Sequence, residues 1–357
     1  MNPFSVEPSA PKRRPAQRRG RSRSPLFGVV IAALVVLAAI VTVGVVAASN
    51  DPDRADVPIG PAIVTSTTNP VVSPVDPSTP TSERLGDGTT IDKSGAAFTS
   101  CVPIPGNSIL IRERSCTVVS PPAVKPGERL PAIILLHGLN NQPSMVIANG
   151  GWPEQVVKHR VLVAAPLGIL SSWNAGGCCA PASATQIDDV TFLRQIVRQI
   201  KARPDVDPTR VFMVGESNGG MMMYRYLCEG AGELAGAASV EGTPVAGCSP
   251  SQSIPVLHVH GTGDMTVPYQ GGRSLASFIL GVTFPPVETA VQGVATANRC
   301  NPVPETASDG DIRTTTWPGC GNGSTVKLVT VSGLGHIWPA APVFPATEAV
   351  MTFFGLS

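Results

Sequence analysis

Histidine is scarce in this sequence, and two spacings by which proteins often bind zinc are absent. The 357 residues include five histidines, and neither C-x-x-C nor H-E-x-x-H occurs. We therefore expect no metal site.

Basic residues are also few beyond residue 25. Residues 26–357 contain 19 basic and 24 acidic residues, which gives a net charge of about −5. This balance argues against a nucleic-acid partner, which would require a basic face.

Cysteine is missing from the first 100 residues and then occurs eight times. An even count confined to the later part predicts disulfides formed in an oxidising compartment, with a zinc site as the alternative. Proximity along the chain predicts a Cys101–Cys116 bond across a hairpin and a Cys300–Cys320 bond that closes a loop. The other four are left to pair among themselves: Cys178, Cys179, Cys228 and Cys248.

The N-terminus predicts a membrane segment. Residues 1–25 hold seven basic residues and one acid, and residues 26–48 hold no charge. These 23 residues are long enough to cross a hydrocarbon core of ~30 Å. We predict a cytoplasmic tail over 1–25 and a transmembrane anchor over 26–48, with the rest of the chain outside the cytoplasm. The alternative is a signal peptide cleaved after residue 48, which would make the protein secreted; its usual apolar core of ~7–15 residues is shorter.

Composition divides the remainder into two parts. Residues 49–95 are rich in proline, threonine and serine without an apolar period, and are predicted to form a disordered linker. Residues 96–357 alternate strand-like and helix-like runs, which predicts one α/β domain with a mostly parallel sheet flanked by helices. The predicted strands, after an N-terminal hairpin, are 132–136, 161–165, 210–214, 236–240, 255–260 and 326–331. The predicted helices are 188–201, 218–228, 271–280 and 345–354.

Gly215-Glu216-Ser217-Asn218-Gly219 lies between the predicted strand 210–214 and the predicted helix 218–228. A serine on such a tight strand-to-helix turn is a nucleophile elbow, in which the hydroxyl is exposed at the sheet edge. Ser217 is therefore the candidate nucleophile.

Two further residues follow predicted strands in the order that a serine hydrolase needs. Asp264 comes after strand 255–260, and His336 comes after strand 326–331. The ends of parallel strands share one edge of a sheet, so both should lie near Ser217. An imidazole can accept the serine proton, and a carboxylate can hold the imidazole. Asp188 and Asp189 are rival acids, but they precede an amphipathic helix and are predicted to cap it.

The tetrahedral intermediate of acyl transfer needs N–H donors for its oxyanion. The backbone N–H of Asn218, directly after the nucleophile, is one predicted donor. The N–H of Leu139, in the loop after strand 132–136, is the other. His137, beside that loop, is predicted to make a structural hydrogen bond.

A longer series of motifs spans residues 96–357. It comprises Leu136-His137-Gly138-Leu139, Ser172-Trp173-Asn174-Ala175-Gly176-Gly177-Cys178-Cys179, Asp188-Asp189-Val190-Thr191-Phe192-Leu193, Gly215-Glu216-Ser217-Asn218-Gly219-Gly220-Met221, His260-Gly261-Thr262-Gly263-Asp264-Met265-Thr266-Val267-Pro268-Tyr269 and Gly335-His336-Ile337-Trp338-Pro339. This series resembles the secreted polyhydroxybutyrate depolymerase and feruloyl esterase family of α/β-hydrolases. The resemblance implies the α/β-hydrolase fold, Ser217, Asp264 and His336 as the triad, an ester substrate, and neither metal nor cofactor. Members of that family act on polyesters, on feruloyl or acetyl groups of plant polysaccharides, or on small esters.

The combined expectation is a membrane-tethered, extracytoplasmic serine esterase with no obligate protein partner. A serine peptidase of the same fold and a catalytically idle cell-envelope binding protein are the alternatives. Trp173, Trp317 and Trp338 are candidate substrate contacts, with packing inside the protein as the alternative for each.

Overall fold

Twelve strands form one sheet in the computed structural model of the protein. The structure describes residues 83–84, 89–108, 111–229, 233–245, 250 and 252–357. The predicted tail 1–25, the predicted anchor 26–48, most of the predicted linker 49–95, and Cys248 lie outside these ranges. Within them, no helix has the length and apolar character to cross a membrane.

The strands of the described residues are numbered β1 to β14 in chain order. They are β1 Glu83–Arg84, β2 Thr90–Ile91, β3 Ala97–Ser100, β4 Ile104–Ser108, β5 Ile111–Arg114, β6 Cys116–Ser120, β7 Leu130–Leu136, β8 Leu162–Pro166, β9 Val206–Glu216, β10 Gly236–Val240, β11 Val256–Gly261, β12 Glu305–Asp309, β13 Ile312–Trp317 and β14 Val326–Val331. The helices are α1 Pro143–Asn149, α2 Trp152–His159, α3 Asp189–Lys201, α4 Asn218–Glu229, α5 Leu275–Leu280, α6 Val287–Ala297 and α7 Ala346–Phe353.

The six predicted strands form the parallel centre of the sheet, in the order β8-β7-β9-β10-β11-β14. Antiparallel strands extend it at both edges, β6 to β1 on one side and β13 with β12 on the other. β4 and β5 form a separate hairpin. All six predictions are confirmed with small shifts at the ends. The predicted helix 271–280 is shorter than expected, because α5 begins only after its cap at Ser274.

Side chains on the parallel strands alternate between two cores, as the period of a strand requires. On β7, Ile134 and Leu136 belong to one core, and Ile133 and Leu135 belong to the other. Helices α3, α4 and α6 cover the first face, and α1, α2 and α7 cover the second. This three-layer arrangement places the carboxyl ends of all six parallel strands at one exposed edge.

Three disulfides join described residues. Cys101–Cys116 links the end of β3 to the start of β6, and Cys300–Cys320 closes the segment that holds the β12–β13 hairpin, so both predicted pairs are confirmed. The third joins the neighbouring residues Cys178 and Cys179. Cys228 is also disulfide-bonded, and no described cysteine is free.

Candidate active site

Ser217 occupies the turn between β9 and α4 with a φ of 51°, a value that non-glycine residues seldom adopt. The turn is possible because its two flanking glycines lack a Cβ. A Cβ on Gly215 would lie 2.3 Å from the backbone of Gly219, and one on Gly219 would lie 2.4 Å from the carbonyl of Leu136. Helix and strand therefore approach closely enough to hold the serine at the sheet edge.

The three candidate residues Ser217, Asp264 and His336, here called the candidate triad, form a hydrogen-bonded chain. His336 Nδ1 lies 2.6 Å from Asp264 Oδ2, and His336 Nε2 lies 2.9 Å from Ser217 Oγ. The carboxylate can only accept, so Nδ1 carries the hydrogen and Nε2 is free to accept the serine proton. The three residues come from the ends of β9, β11 and β14, far apart in sequence but neighbours in the sheet.

Asp264 is buried, and polar groups on several sides contact its carboxyl oxygens. Oδ1 accepts from the backbone N–H groups of Thr266 and Val267, at 2.7 and 2.8 Å. Oδ2 accepts from His336 and lies 3.2 Å from His260 Nε2. Burial by itself would raise the pKa of this carboxyl, but hydrogen bonds from His260, His336 and Glu241 outweigh burial and hold the pKa well below its usual range. Asp264 is therefore ionised at neutral pH.

The loop after β7 lies against the nucleophile. A Cβ built on Gly138 would stand 3.4 Å from Ser217 Cβ. His137 orders this loop, since its Nδ1 lies 2.7 Å from the Gly138 carbonyl and its Nε2 accepts from the Gly168 N–H at 3.0 Å. Among the described residues, the N–H groups of Leu139 and Asn218 donate to no protein acceptor. The assignment of these two groups as oxyanion donors stays a prediction.

The side chain of Asn218 ties the nucleophile to a neighbouring loop. Its Oδ1 accepts from the Trp173 N–H at 2.8 Å, and its Nδ2 donates to the Trp173 carbonyl at 3.1 Å. The Trp173 indole donates to the His137 carbonyl at 3.0 Å. The loop that carries the Cys178–Cys179 bond is thereby hydrogen-bonded both to Asn218, which follows the candidate nucleophile, and to His137, in the loop after β7.

The three tryptophans proposed as substrate contacts are buried. Trp173 lies in the core against Phe192. Trp338 packs on Trp152 and donates to Thr347, and Trp317 lies in the core at the end of β13. None presents an exposed ring to the candidate triad, so the structure favours packing over an aromatic platform at all three positions.

The rival acids Asp188 and Asp189 do not contact His336. Asp188 caps α3 by accepting from the Thr191 N–H, as predicted. Asp189 has a role that the sequence does not reveal: it is fully buried and pairs with Arg114 at 2.7 Å. It also accepts from the N–H of Asn174 at 2.7 Å. Asp189 thus anchors the loop that contacts Asn218.

Sequence reasoning missed two acids near the candidate triad. Glu216, directly before Ser217, accepts from Asn141 at 3.3 Å, and burial raises its pKa. Glu241 follows β10 and is fully buried beside His260 and Asp264. The expectation that His258 and His260 are packed is confirmed, but both also belong to a hydrogen-bonded chain that ends at Asp264. No pattern in the sequence pairs these residues, because their proximity depends on strand register.

Glu241, His260 and Asp264 bring three potential metal ligands within 4.8 Å of one another. The donor set does not fit a metal. His260 Nε2 lies 2.9 Å from the carbonyl oxygen of Val267, which can only accept, so this nitrogen carries a hydrogen. A nitrogen that donates a hydrogen bond has no lone pair for a cation.

Large apolar side chains are exposed next to the candidate triad. Met265, beside Asp264, is 85% exposed, and Ile337, beside His336, is 57% exposed. Leu170 is 74% exposed and comes directly before Ser171. The Ser171 carbonyl accepts a hydrogen bond from the N–H of Asn140, which follows the predicted oxyanion donor Leu139. These three residues, here called the apolar rim, are large, apolar and exposed, and each lies in a segment that contributes to the candidate site.

The fold is α/β-hydrolase-like, as three features together show: the strand order, the strand-to-helix turn at Ser217, and the order of Ser217, Asp264 and His336 along the chain.

Comparison with known proteins gives no match to a family model. The chain is similar to feruloyl esterase B of Piromyces equi, with 32% identity over 177 residues, and to the bifunctional acetylxylan esterase/xylanase XynS20E of Neocallimastix patriciarum, with 27% identity over 226 residues. These matches cover 48% and 62% of this chain but only 32% and 31% of those relatives.

A third relative, named "Putative esterase NocK" in Nocardia uniformis subsp. tsuyamanensis, is 27% identical over 312 residues, which is 82% of this chain and 87% of that protein. Among solved structures, an acetyl xylan esterase from Aspergillus awamori superposes with a TM-score of 0.48 and 13% identity, over 72% of this chain and all of that one. The chain is thus similar in sequence to proteins named as esterases.

Proposed function

We propose that this protein is a serine esterase that hydrolyses carboxylic esters through an acyl-enzyme. The observation that carries the proposal is the hydrogen-bonded chain from Ser217 Oγ through His336 to the ionised Asp264. Similarity to proteins named as feruloyl, acetylxylan and other esterases supports the choice of an ester over an amide.

The geometry supports a mechanism in two halves. In the first, His336 Nε2 takes the Ser217 proton as Oγ attacks the ester carbonyl, and Asp264 stabilises the imidazolium. The N–H groups of Leu139 and Asn218 would bind the oxyanion. The imidazolium then gives its proton to the departing alcohol, which leaves an acyl group on Ser217. In the second half, water replaces the alcohol, and the same residues release the acid and restore the serine.

The apolar rim supports an ester with an apolar acyl or alcohol part. Met265, Ile337 and Leu170 offer no hydrogen bond to a substrate, but they can cover apolar surface as it leaves water. The disulfides support a location outside the cytoplasm, where such bonds persist. In that setting, the predicted segment 26–48 would either hold the domain at the membrane or be removed on secretion.

A substrate panel tests the proposal. Nitrophenyl esters of short and long acids, feruloyl and acetyl-sugar esters, a hydroxybutyrate oligomer and a set of peptides are offered to the wild type and to S217A. We expect ester hydrolysis that S217A reduces by on the order of 10⁶ in kcat. Peptide cleavage without ester hydrolysis would indicate a peptidase. Hydrolysis of nothing in the panel would indicate a binding protein.

A further inference from the structure

Glu241 has a backbone conformation and an environment that glutamates seldom have. Its φ is 57°, and its side chain is buried directly after β10. The N–H of Glu241 donates to the Val259 carbonyl at 2.9 Å, which continues the pairing of β10 with β11. The strained backbone is thus combined with a carboxyl group hidden from water, a combination that occurs at functional sites.

The contacts of the Glu241 carboxyl fix its place in the site. Its Oε1 accepts from the Gly261 N–H at 3.0 Å. Its Oε2 lies 3.3 Å from His260 Nε2. One carboxyl oxygen of Glu241, one of Asp264 and a ring nitrogen of His260 lie within 4.8 Å of one another, and the carboxyl groups of Glu241 and Asp264 are hydrogen-bonded. Among the described residues, Glu241 forms an ion pair with no lysine or arginine. A buried carboxylate without a cation is costly, whereas a buried carboxylic acid is not.

Two carboxyl groups in hydrogen-bonding range need one proton between them. Asp264 has two backbone N–H donors and an imidazole donor, so it is the group that stays ionised. Glu241 is left to hold the proton. Burial, together with the hydrogen bond and the negative charge of Asp264, raises the pKa of Glu241 well above its usual range; the charge of Glu216 acts in the same direction.

A chain of donors supports Asp264 from the other side. His260 Nε2 carries a hydrogen, shown by its contact with the Val267 carbonyl, and also lies near Asp264 Oδ2. His260 Nδ1 lies 3.0 Å from His258 Nε2, and His258 Nδ1 lies 2.9 Å from the Tyr224 hydroxyl. This buried chain fixes the His260 ring, so that His260 Nε2 approaches the same oxygen of Asp264 that His336 uses.

We propose that Glu241 is a positioning residue of the candidate triad: as a neutral carboxylic acid it donates a hydrogen bond to the Asp264 carboxylate and fixes the group that orients His336. This inference rests on the proposed esterase function, since it assigns Asp264 a role in orienting the base. Glu241 does not touch the substrate. Its effect passes through Asp264.

The matched variants are E241Q and E241L in the full-length protein, assayed on a nitrophenyl ester that the wild type hydrolyses. The amide of E241Q keeps an acceptor for the Gly261 N–H and a donor for Asp264. We expect kcat/KM within about twofold of wild type and an unmoved acid limb of its pH profile. If Glu241 were ionised, E241Q would remove a negative charge near His336 and move the acid limb to lower pH. Such a shift, or a tenfold loss in a folded E241Q, would overturn the proposal.

E241L removes both hydrogen bonds. We expect kcat to fall about tenfold or more with little change in KM, since an acceptor and a donor lose their partners. In a D264N background the same change should cost little further, because the two residues act as one unit. A folded E241L with wild-type kcat, or an equal loss in both backgrounds, would contradict the positioning role.

A measurement without turnover separates this inference from the proposed function. In protein with ¹³C-labelled glutamate side chains, the carboxyl resonance that E241Q lacks should have the shift of a protonated acid at the pH of the kinetic assay. A carboxylate shift at that pH would show that Glu241 is ionised, whether or not E241L folds. If the wild type hydrolyses no ester, the proposed function fails, and the resonance still decides the state of Glu241.

Discussion

At the scale of single residues, the site depends on which acid faces the base. Asp264 and Asp189 are both buried aspartates, but only Asp264 contacts His336. Asp189 is paired with Arg114, whose guanidinium also lies 3.5 Å from the centre of the Phe192 ring. One carboxylate thus faces the candidate base, and the other forms a buried ion pair.

This difference predicts opposite effects of the same substitution. D264N should lower kcat by on the order of 10⁴ with a folded protein, because the amide cannot hold the required tautomer of His336. D189N leaves the Arg114 charge buried without its partner and should lower the free energy of unfolding by about 3–5 kcal/mol, with kcat per folded molecule nearly unchanged. Chemical denaturation and steady-state kinetics on both variants measure the two effects. A deeper loss of kcat in D189N would mean that the wrong carboxylate is assigned.

At the scale of secondary structure, the turn between β9 and α4 has no room for a side chain at Gly219. G219A would place a Cβ 2.4 Å from the Leu136 carbonyl and 2.6 Å from the His137 carbonyl. We expect a loss of stability and of ester hydrolysis, because α4 must move away from β7. G293A is the matched control, since a Cβ there meets nothing within 4 Å in the interior of α6. It should be neutral or stabilise by about 0.5–1 kcal/mol.

Thermal unfolding and activity of the two variants decide this prediction. Equal behaviour of G219A and G293A would contradict the close packing of α4 on β7.

The parallel strands could be predicted because each is a short, continuous apolar run, which a strand covered on both faces requires. The β12–β13 hairpin was missed because its residues are mostly polar: those of β12 are exposed, and those of β13 are largely half-buried. Helix α6 was also missed, although Val287, Val291 and Val294 follow a helical period. The candidate triad could be predicted from loops after strands, whereas Glu241 could not, because its place beside Asp264 depends on the register of β10 with β11.

At the scale of the whole molecule, buried neutral histidines should make stability depend on pH. Burial lowers the pKa of His137 to about 4, and protonation of its Nε2 would break the bond from Gly168. An unfolded histidine titrates near 6.5. Between these values the unfolded chain binds a proton that the folded protein does not, so stability falls as the pH drops through this window, by up to about 3 kcal/mol.

Urea unfolding at pH 7, 6, 5 and 4 measures this dependence. Burial also lowers the pKa of His258, so the wild-type slope includes more than one group. H137Q should be less stable at pH 7 and should show a shallower slope between pH 6.5 and 4. Identical slopes for wild type and H137Q would show that His137 is not the group responsible.

The cysteines give a second prediction for the whole chain. Three disulfides are formed between described residues, Cys228 is also bonded, and the sequence holds eight cysteines. Protein isolated from an oxidising compartment should show no thiol after denaturation without reductant, and eight after reduction. Thiol titration measures both numbers. Two thiols before reduction would mean that one of the four bonds is not made.

Covalent labelling of Ser217 shows directly whether His336 and Asp264 activate it as a nucleophile. An alkyl fluorophosphonate reacts with activated serines and mimics the tetrahedral intermediate. Intact mass and peptide mapping should show one adduct per chain, on Ser217, formed in parallel with the loss of ester hydrolysis. S217A should take up no label, and H336A should take it up far more slowly. An adduct on another residue, or equal labelling of S217A, would show that Ser217 is not the activated nucleophile.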